Sequence, residues 1–402
     1  MRTCIYFSSP AFGNINPSLS IVKELVSRGD KVIYYAIDHF KEMIESTGAQ
    51  YRSYGSNYPQ NVYFTQKKQS DYSFQEFLFG LSINMLGTYR LVKDDLLEEL
   101  EQINVDYIIH DSYSYLGKRI GMMLGKTCIC LMPNYAIPKN SLLCSSEKVL
   151  KYVFLNKVSS IEKLNNWIHK CEKIIEKRFD EECIELMDFT LCEEKCNLIC
   201  SIPNLNMFCS DFDSTYHFIG SMVNISEQIQ QEKSVIYISL GTVLNDEYEF
   251  YLQCIQALSE LGYEICISIG HNLEVVDFGE IPSNVHLYQY APQIEILKNS
   301  ALFITHGGYN SFNEAVYFGV PMLLIPKGNE QFITAETAQK LKIGKVIQEQ
   351  ELTVEYLKNS VMKMLNEKMY YKNILKISSI LREKSKIGDV ADIIINFINS
   401  QN

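Results

Sequence analysis

The sequence lacks the features that mark several classes of protein. No run of eighteen consecutive apolar residues occurs, so no membrane-spanning helix is expected. None of the twelve cysteines forms a C-x-x-C pair, which argues against zinc-ribbon and thioredoxin-like sites. The first residues, MRTCIYFSSPAFGN, do not resemble a signal peptide. Scattered thiols without an export signal predict a protein of the reducing cytoplasm.

Positive charge is also scarce. The 402 residues include 37 Lys and Arg against 48 Asp and Glu, a formal net charge of −11. Such a surface repels nucleic-acid phosphate and anionic lipid, so no nucleic-acid partner is expected. A local pocket for a single phosphate group remains compatible with this charge. The length predicts two or three domains.

What the sequence does contain is strand–helix alternation, in two series. The first begins with the apolar run CIYFSS, the helical pattern PSLSIVKELVSRG and the apolar run KVIYYAI. Asn16 and Pro17 predict the start of that first helix. A second series begins with SVIYISLG. We therefore predict two doubly wound α/β domains, over residues 1–210 and 233–385, joined by a linker over 211–232.

The strongest chemical signal is the segment ALFITHGGYNSFNEAVYFGVPMLLIPKGNEQ, residues 301–331. An H-G-G turn beginning at His306 separates a buried strand from a helix that carries Asn310 and Ser311 in its first turn. Glycines let the backbone approach a ligand, and a helix N-terminus presents N–H groups to an anion. Glu314, one turn further on, could accept two sugar hydroxyls. A tight turn with a capping Asn would give a similar pattern, so this segment alone leaves both interpretations open.

Three more segments extend the signal. SLGTV (239–243), QYAPQIEIL (289–297) and GNEQ (328–331) also follow predicted strands. The loops that follow parallel strands gather at one edge of a sheet, where ligands bind. Four such loops at one edge predict a site for a nucleotide-diphosphate sugar.

These segments, in this order, resemble the signature of the family 1 glycosyltransferases, and within them the bacterial macrolide-type subgroup. The resemblance is most specific over 286–344 and clear over 1–37. It implies an α/β protein of the GT-B fold, with two facing Rossmann-like domains and a cleft between them. The N-terminal domain would bind the acceptor and the C-terminal domain the donor, and the last helix, 386–402, would pack back on the N-terminal domain. The resemblance also implies inversion at the anomeric carbon without a metal or cofactor, the UDP-sugar being a co-substrate.

The resemblance assigns donor contacts by matching position. Residues 241–242 and the H-G-G segment would contact the diphosphate, 290–293 the base and ribose, and Glu314 the ribose. Glu330 and Gln331 would hold hydroxyls of the sugar. A tyrosine stands where the family usually has the tryptophan that stacks on uracil. The predicted donor-binding residues are Gly241, Thr242, Tyr290, Ala291, Gln293, His306, Gly308, Asn310, Ser311, Glu314, Glu330 and Gln331.

A D-F-D motif at 211–213 suggests a competing metal site, because paired acids suit a hard cation. Three residues match often by chance in an acidic protein, and these lie in the predicted linker. We predict no metal site.

The catalytic loop departs from the family pattern. In the family this loop reads roughly G-H-x-N-P, and its His is the general base, oriented by an Asp from a later strand. Gly13, Asn16 and Pro17 match here, and Asp111 matches the orienting acid, but Asn14 stands where the His should be. An amide cannot take up a proton near neutral pH, and losing a positioned base typically costs about 10²–10⁴-fold in rate. The catalytic positions are nevertheless predicted to be Asn14 and Asp111.

Several explanations for Asn14 stay open. In the first, the acceptor ionises easily, as a phenol, enol or carboxylic acid does. In the second, Asp111 is the base, directly or through a water held by Asn14. In the third, His110 or His39 replaces the missing histidine. In the fourth, Asn14 orients a carbon or nitrogen nucleophile.

The sequence thus predicts a hexosyltransferase that moves glucose from UDP-glucose to a small lipophilic acceptor, such as a phenolic, polyketide or macrolide-like compound. Loss of the base also fits a non-catalytic partner protein that binds a nucleotide sugar. A sugar-nucleotide epimerase shares the two-domain architecture, but the H-G-G-x-N-S…E-Q order favours a transferase.

Overall fold

The computed structural model describes residues 1–56, 58, 74–142, 160–179, 185–189, 192–223, 233–241 and 247–401. The chain forms two compact units. The first comprises Met1–Ile202, Phe208–Asn224 and Ser385–Asn402, and the second comprises Pro203–Met207 and Ile225–Lys384.

The first unit is built on a seven-stranded sheet with the order β3-β2-β1-β4-β5-β6-β7. All neighbouring strands in it are parallel. Because β1 pairs with both β2 and β4, the chain winds outward in one direction and then in the other from the centre of the sheet. Its strands are β1 (Thr3–Phe7), β2 (Lys31–Ala36), β3 (Gln50–Ser53), β4 (Tyr107–Asp111), β5 (Thr127–Met132), β6 (Asn197–Ile199) and β7 (Tyr216–Phe218).

Helices cover this sheet. They are α1 (Phe12–Ser27), α2 (Lys41–Glu45), α3 (Phe74–Glu101), α4 (Tyr115–Leu124), α5 (Lys139–Leu142), α6 (Ile161–Phe179) and α13 (Ile387–Gln401). The first helix begins at Phe12, not after Asn16 as predicted, because Ala11 already accepts hydrogen bonds from the N–H groups of Asn14 and Ile15 at 3.0 Å. Pro17 therefore lies inside the helix, and Asn14 lies in its first turn.

The C-terminal helix α13 belongs to the first unit. Its buried residues Val390, Ala391 and Ile394 pack in the same core as the α1 residues Val22 and Leu25. Arg28, after the end of α1, donates to the main-chain oxygen of Gly388 at 2.9 Å and pairs with Asp392. The structure thus places most of the segment 386–402 against the first helix of the chain.

The linker prediction needs correction at its start. Residues 216–218, assigned to the linker over 211–232, form β7, which pairs with β6 in the register Asn197↔Tyr216. The N–H of Ile219 continues the contact by donating to the carbonyl of Ile199 at 2.9 Å. The strand is only three residues long, so its apolar pattern was too short to recognise. Residues 224–232 lie outside the described residues.

The second unit is built on a six-stranded parallel sheet with the order β10-β9-β8-β11-β12-β13. Here the winding direction reverses between β8 and β11. The strands are β8 (Val235–Ser239), β9 (Glu264–Ser268), β10 (Val285–Tyr288), β11 (Ser300–Thr305), β12 (Met322–Leu324) and β13 (Gly344–Val346). The helices are α7 (Tyr248–Leu258), α8 (Gln293–Lys298), α9 (Tyr309–Tyr317), α10 (Asn329–Lys340), α11 (Val354–Asn366) and α12 (Lys368–Lys384).

Candidate active site

The loop after β11 holds His306 between two glycines. β11 ends at Thr305 and α9 begins at Tyr309. A Cβ atom on Gly241 would lie 2.7 Å from Cε1 of His306, and one on Gly308 would lie 2.7 Å from Nε2. Both distances are shorter than a carbon contact allows. Only glycine therefore leaves room for the imidazole ring at these two positions.

The imidazole of His306 is neutral. Burial lowers the pKa of His306 to about 4; a hydrogen bond with the main chain of Ser239 acts against this shift, and the positive charge of Lys327 acts with it. Its Nδ1 atom is buried and has no hydrogen-bond partner within the described part of the chain. A neutral imidazole has one N–H donor and one lone pair. The ring can therefore form a further hydrogen bond with a ligand, but it brings no full positive charge.

Helix α9 begins directly after this loop. Gly308 is the residue before it and has no side chain to cap the helix. The N–H groups in the first turn of an α-helix lie outside its internal hydrogen-bond ladder and carry partial positive charge. Asn310 and Ser311 stand in this turn. Together with His306, the helix start offers the set of donors that suits phosphate oxygens.

Two neighbouring segments fix the loop. The hydroxyl of Thr334 in α10 donates to the carbonyl of Gly307 at 2.5 Å. The N–H of Gly307 in turn donates to Oγ1 of Thr305 at 3.2 Å, and Gly307 has a φ of +86° that favours glycine. The H-G-G turn is thus held in one conformation by side-chain contacts from a strand and a helix.

The side chain of Gln331 accepts hydrogen bonds from the loop before α10. Its Oε1 atom accepts the N–H groups of Lys327 at 2.8 Å and Gly328 at 2.9 Å. The carbonyl end of the side chain is therefore engaged, and its amide nitrogen is the end that suits a ligand oxygen. Glu330 is partly exposed at the start of α10, and burial raises the pKa of its carboxyl group. Lys327 pairs with Glu247 at 2.5 Å.

Gln293 and Glu314 contact each other beside the helix start. The amide nitrogen of Gln293 donates to Oε2 of Glu314 and, at 3.1 Å, to the hydroxyl of Ser311. Tyr237 donates from its hydroxyl to Oε1 of Gln293 at 3.2 Å. Burial raises the pKa of Glu314 to about 7, against which the bond from Gln293 acts. A half-ionised carboxyl group therefore stands next to the phosphate-type site at neutral pH.

An exposed aromatic ring lies at the end of β10. Tyr290 is 54% exposed and lies nearly parallel to the ring of His271, with an interplanar angle of 7° and centroids 6.4 Å apart. Ala291, the next residue, is buried. An exposed flat ring next to donors for phosphate is a suitable surface for a nucleobase to stack on.

In the first unit, a carboxylate of the chain itself binds the segment that follows β1. Asp111, at the end of β4, is fully buried. Its two oxygens accept the N–H of Ser9, the hydroxyls of Ser8 and Ser9 at 3.0 Å each, and the N–H of Tyr113 at 2.8 Å. Burial raises the pKa of Asp111, against which these bonds act. The carboxylate therefore fastens the segment after β1 to the end of β4.

Asn14 has a different partner. Its Oδ1 atom accepts a hydrogen bond from Nδ2 of Asn134 at 3.0 Å. Asn14 is buried to 6% exposure, and Asn134 lies just after β5. Across the described residues, the structure shows no hydrogen bond between Asn14 and Asp111. The pairing expected of the family's catalytic histidine and aspartate is thus replaced by a pair of amides.

The two histidines considered as replacement bases lie in different surroundings. His110 is fully buried, with Nδ1 3.0 Å from the carbonyl of Asp111 and Nε2 3.1 Å from Oε1 of Glu194. Both ring nitrogens therefore have structural partners. His39 is exposed and packs edge-on against Phe12, with ring centroids 5.4 Å apart.

Comparison with known proteins identifies this arrangement. The family described as UDP-glucoronosyl and UDP-glucosyl transferase matches residues 211–399. An uncharacterised UDP-glucosyltransferase of Bacillus subtilis, YojK, is 27% identical over 100% of this chain and 98% of its own. The second half of the chain thus matches the UDP-glycosyltransferase family, and the whole chain is similar to a bacterial UDP-glucosyltransferase.

Solved structures agree with the fold. The glycosyltransferase of kitacinnamycin has a TM-score of 0.78 at 22% identity and covers 98% of both chains. The spinosyn rhamnosyltransferase SpnG, complexed with thymidine diphosphate, has a TM-score of 0.68 at 14% identity and covers 95% of this chain and 96% of its own. The GT-B prediction, with two Rossmann-like units, is confirmed. The family match and the similarity to the curated relatives indicate a sugar-nucleotide-dependent glycosyltransferase.

Most of the predicted donor residues of the glycosyltransferase lie in the second unit, around the start of α9 and the loops after β8, β10 and β12. Thr242 lies outside the described residues. The contact of the others with a donor stays a prediction. Sequence reasoning missed Tyr237, Thr334 and Asn134, whose roles depend on contacts between distant segments.

The two acids of the D-F-D motif accept hydrogen bonds from nearby residues of the chain. Asp211 accepts the hydroxyl of Ser141 at 2.9 Å, and Asp213 accepts the N–H of Thr215 at 2.8 Å. Within the described ranges, no group of three or more His, Cys, Asp or Glu is arranged to hold a metal ion. Of the helices that the structure describes, none combines the length and apolar character needed to cross a membrane.

Proposed function

We propose that this glycosyltransferase moves glucose from UDP-glucose, with inversion at the anomeric carbon, to a small lipophilic acceptor. The observation that carries the proposal is the position of His306, held between Gly241 and Gly308 at the start of α9. This neutral imidazole and the adjacent N–H donors match the oxygens of a diphosphate leaving group. Negative charge grows on that group as the glycosidic bond to phosphate breaks, and donors already in place stabilise it.

The other donor contacts follow from this position. His306, Gly308, Asn310 and Ser311 would hold the diphosphate, with Gly241 and Thr242 on the other side. The carboxyl group of Glu314 would accept the hydroxyls of the ribose.

Five further residues complete the proposed donor site. Tyr290 would stack on the base, with Ala291 and Gln293 beside it. Glu330 and the amide nitrogen of Gln331 would bind hydroxyls of the sugar, because the carbonyl of Gln331 already serves its own loop.

The identities of the nucleobase and of the transferred sugar are a more specific part of the proposal. The name of the B. subtilis relative favours UDP-glucose, whereas the spinosyn enzyme of the same fold binds thymidine diphosphate. Tyr290 offers a smaller ring than tryptophan and stacks on either pyrimidine. The kitacinnamycin enzyme supports a natural product as acceptor, such as a phenolic, polyketide or macrolide-like compound.

Asn14 and Asp111 stand at the proposed acceptor site. Neither is arranged as a simple base: one is an amide, and the other is fully buried beneath four hydrogen-bond donors. The reaction would run without a metal or cofactor, in the reducing cytoplasm. None of the ten described cysteines forms a disulfide, which supports a reducing compartment.

Asn14 also supports a second candidate. A non-catalytic partner protein that binds a nucleotide sugar needs no base. The donor side argues for the enzyme, because Glu330 and Gln331 would bind the sugar and a nucleotide-binding partner would not need them. Transfer to carbon or nitrogen is a variant of the enzyme proposal, in which Asn14 would orient the nucleophile.

The test is a transfer assay read by mass spectrometry. The protein is incubated with UDP-glucose, EDTA and a panel of phenols, alkyl alcohols, macrolides and amines. A hexose adduct on any acceptor, absent with His306→Ala, supports the proposal. UDP-glucose binding without an adduct on any acceptor favours the partner protein. Interconversion of UDP-sugars without an acceptor would indicate an epimerase, and loss of transfer in EDTA would contradict metal independence.

A further inference from the structure

The amide pair of the first unit joins two distant segments. Asn14 lies in the first turn of α1, and Asn134 follows β5 after one intervening proline. The bond between them, from Nδ2 of Asn134 to Oδ1 of Asn14, is 3.0 Å long. Both loops follow strands of one parallel sheet, which is where such sheets bind ligands.

The direction of this bond decides what Asn14 can offer. Its carbonyl oxygen accepts from Asn134, whereas no described group accepts a hydrogen bond from its amide nitrogen, so the nitrogen is the end of Asn14 left for a ligand. An amide nitrogen donates hydrogen bonds and has no lone pair available for a proton. A donor stabilises an oxygen that carries negative charge. It gives no help to a neutral alcohol that still has to lose its proton.

The other titratable groups close to this segment have separate tasks. The carboxylate of Asp111 holds Ser8 and Ser9, and the ring of His110 lies between the carbonyl of Asp111 and Glu194. His39 is exposed and packs on Phe12. Among the described residues, the candidate bases are thus engaged or turned to other contacts.

We infer that the Asn14–Asn134 pair receives the acceptor oxygen as an anion, so that the natural acceptor is an acidic hydroxyl, a phenol or an enol, which has already lost its proton to solvent. This inference rests on the proposed function and names the acceptor class of the same site. Asn14 donates to the oxyanion. Asn134 is a positioning residue that turns the carbonyl of Asn14 away and its amide nitrogen toward the acceptor.

The reaction balances without a protein base. The acceptor oxyanion attacks the anomeric carbon with its own electron pair and forms the new C–O bond. The bond from that carbon to the diphosphate oxygen breaks, and its electron pair leaves with UDP. The negative charge thus passes from the acceptor to UDP, and no proton moves within the protein.

The experiment measures kcat/KM against pH for a series of substituted phenols of graded acidity, with benzyl alcohol as an acceptor of similar size. UDP-glucose is the donor. We expect the inflection of each profile to move with the acidity of the phenol, and no transfer to benzyl alcohol. One inflection common to all phenols, or transfer to benzyl alcohol, would show that a protein group takes the proton and would overturn the inference.

Variants test the pair itself. Asn14→Ala is expected to lower kcat/KM for the phenols by about 10²-fold, as loss of an oxyanion donor does. Asn134→Ala should lower it by about tenfold, the effect of one lost hydrogen bond. Asn134→Gln, which retains an amide, should recover part of that loss. Asn165→Ala, at an exposed position in α6, is the control and should change nothing.

A restored base gives a gain of function. Asn14→His should permit transfer to benzyl alcohol and give all phenols a shared inflection. The same variant and Asn134→Ala should leave the Kd for UDP unchanged, since that site lies in the second unit. Equal activity of wild type and Asn134→Ala on every phenol would refute the positioning role. If wild type transfers to no acceptor at all but binds UDP-glucose, the proposed function itself fails.

Discussion

The sheet of the first unit reverses its winding between β1 and β4, and that of the second unit between β8 and β11. In the first unit, the segments after those strands are joined by the carboxylate of Asp111, which accepts the N–H and hydroxyl of Ser9. In the second, the same two positions hold the glycine Gly241 and the turn of His306. The first unit thus supplies its own anion at the reversal, whereas the second surrounds this place with donors.

This difference shows how one architecture serves two tasks. Ligands of doubly wound sheets bind where the winding reverses. An internal carboxylate in that place satisfies the local donors and holds Ser8 and Ser9, in the segment before the helix that carries Asn14. In the second unit, the donors around His306 instead suit an external anion, such as a diphosphate. Each prediction below alters one side of this comparison, from the largest expected effect to the smallest.

Replacing His306 should have the largest effect. His306→Ala removes a donor to the developing charge of the leaving group, so kcat/KM for transfer should fall about 10²–10³-fold. His286→Ala is the matched control, since that ring is exposed and pairs with Glu264 at 2.7 Å. Steady-state kinetics with UDP-glucose measures both. A fall of less than threefold in His306→Ala would mean that the ring does not face the diphosphate.

Asp111→Asn tests the place where the winding of the first sheet reverses and the carboxylate of Asp111 binds the local donors. The new amide would place its own donor against the donors of Ser8, Ser9 and Tyr113, so the free energy of unfolding should fall by about 2 kcal/mol. UDP affinity of the second unit should stay the same. Denaturant unfolding measures the first quantity and calorimetric titration the second. Asp106→Asn, at an exposed acceptor of the Thr3 N–H, is the control.

The same variant separates two roles of Asp111. If this carboxylate were the catalytic base, Asp111→Asn would abolish transfer to every acceptor while the protein stayed folded and stable. A loss of stability with transfer preserved at low temperature is the outcome expected of an anchor.

Two glycines with positive φ allow a matched test of the proposed phosphate site in the second unit, where the winding of its sheet reverses. Gly241 has a φ of +80° and Gly262 a φ of +75°, so alanine strains the backbone similarly at both, by about 1–2 kcal/mol. Only a Cβ at Gly241 meets the ring of His306, at 2.7 Å, whereas one at Gly262 meets nothing within 4 Å. Gly241→Ala should therefore weaken UDP binding about tenfold more than Gly262→Ala. Equal Kd values for UDP in the two variants would argue against a phosphate site beside this ring.

Glu314 gives the smallest effect, on stability. The pKa of Glu314 is about 7 in the folded protein and near 4.5 in the unfolded chain. Between these two pH values the unfolded chain loses the proton of Glu314 more readily than the folded protein does, so rising pH favours unfolding. Wild-type stability should therefore fall between about pH 4.5 and pH 7 relative to Glu314→Gln. The variant should have the higher Tm at pH 8 and a similar Tm at pH 4. Glu249→Gln, at an exposed position, should show no such divergence; a pH-independent difference for Glu314→Gln would contradict the burial argument.

Local patterns predicted much of this molecule. The H-G-G turn, the strands before it and the segment order predicted the second unit well, because glycines and short apolar runs are local signals. Contacts between distant segments were not predictable in this way. Gln293 meets Glu314 through two separate helices, and Asn134 meets Asn14 from 120 positions away. The start of α1 at Phe12 was also missed, since Asn16 and Pro17 form an equally good start signal by themselves.

The most direct test of the account compares UDP with uridine as ligands of wild type and His306→Ala, by calorimetric titration. Wild type should bind UDP at least about tenfold more tightly than uridine, since hydrogen bonds to charged groups contribute about 1.5–3 kcal/mol. The variant should lose most of this difference while its Kd for uridine stays the same. Equal binding of the two ligands by wild type, or an unchanged difference in the variant, would contradict a diphosphate site at the β8–β11 reversal.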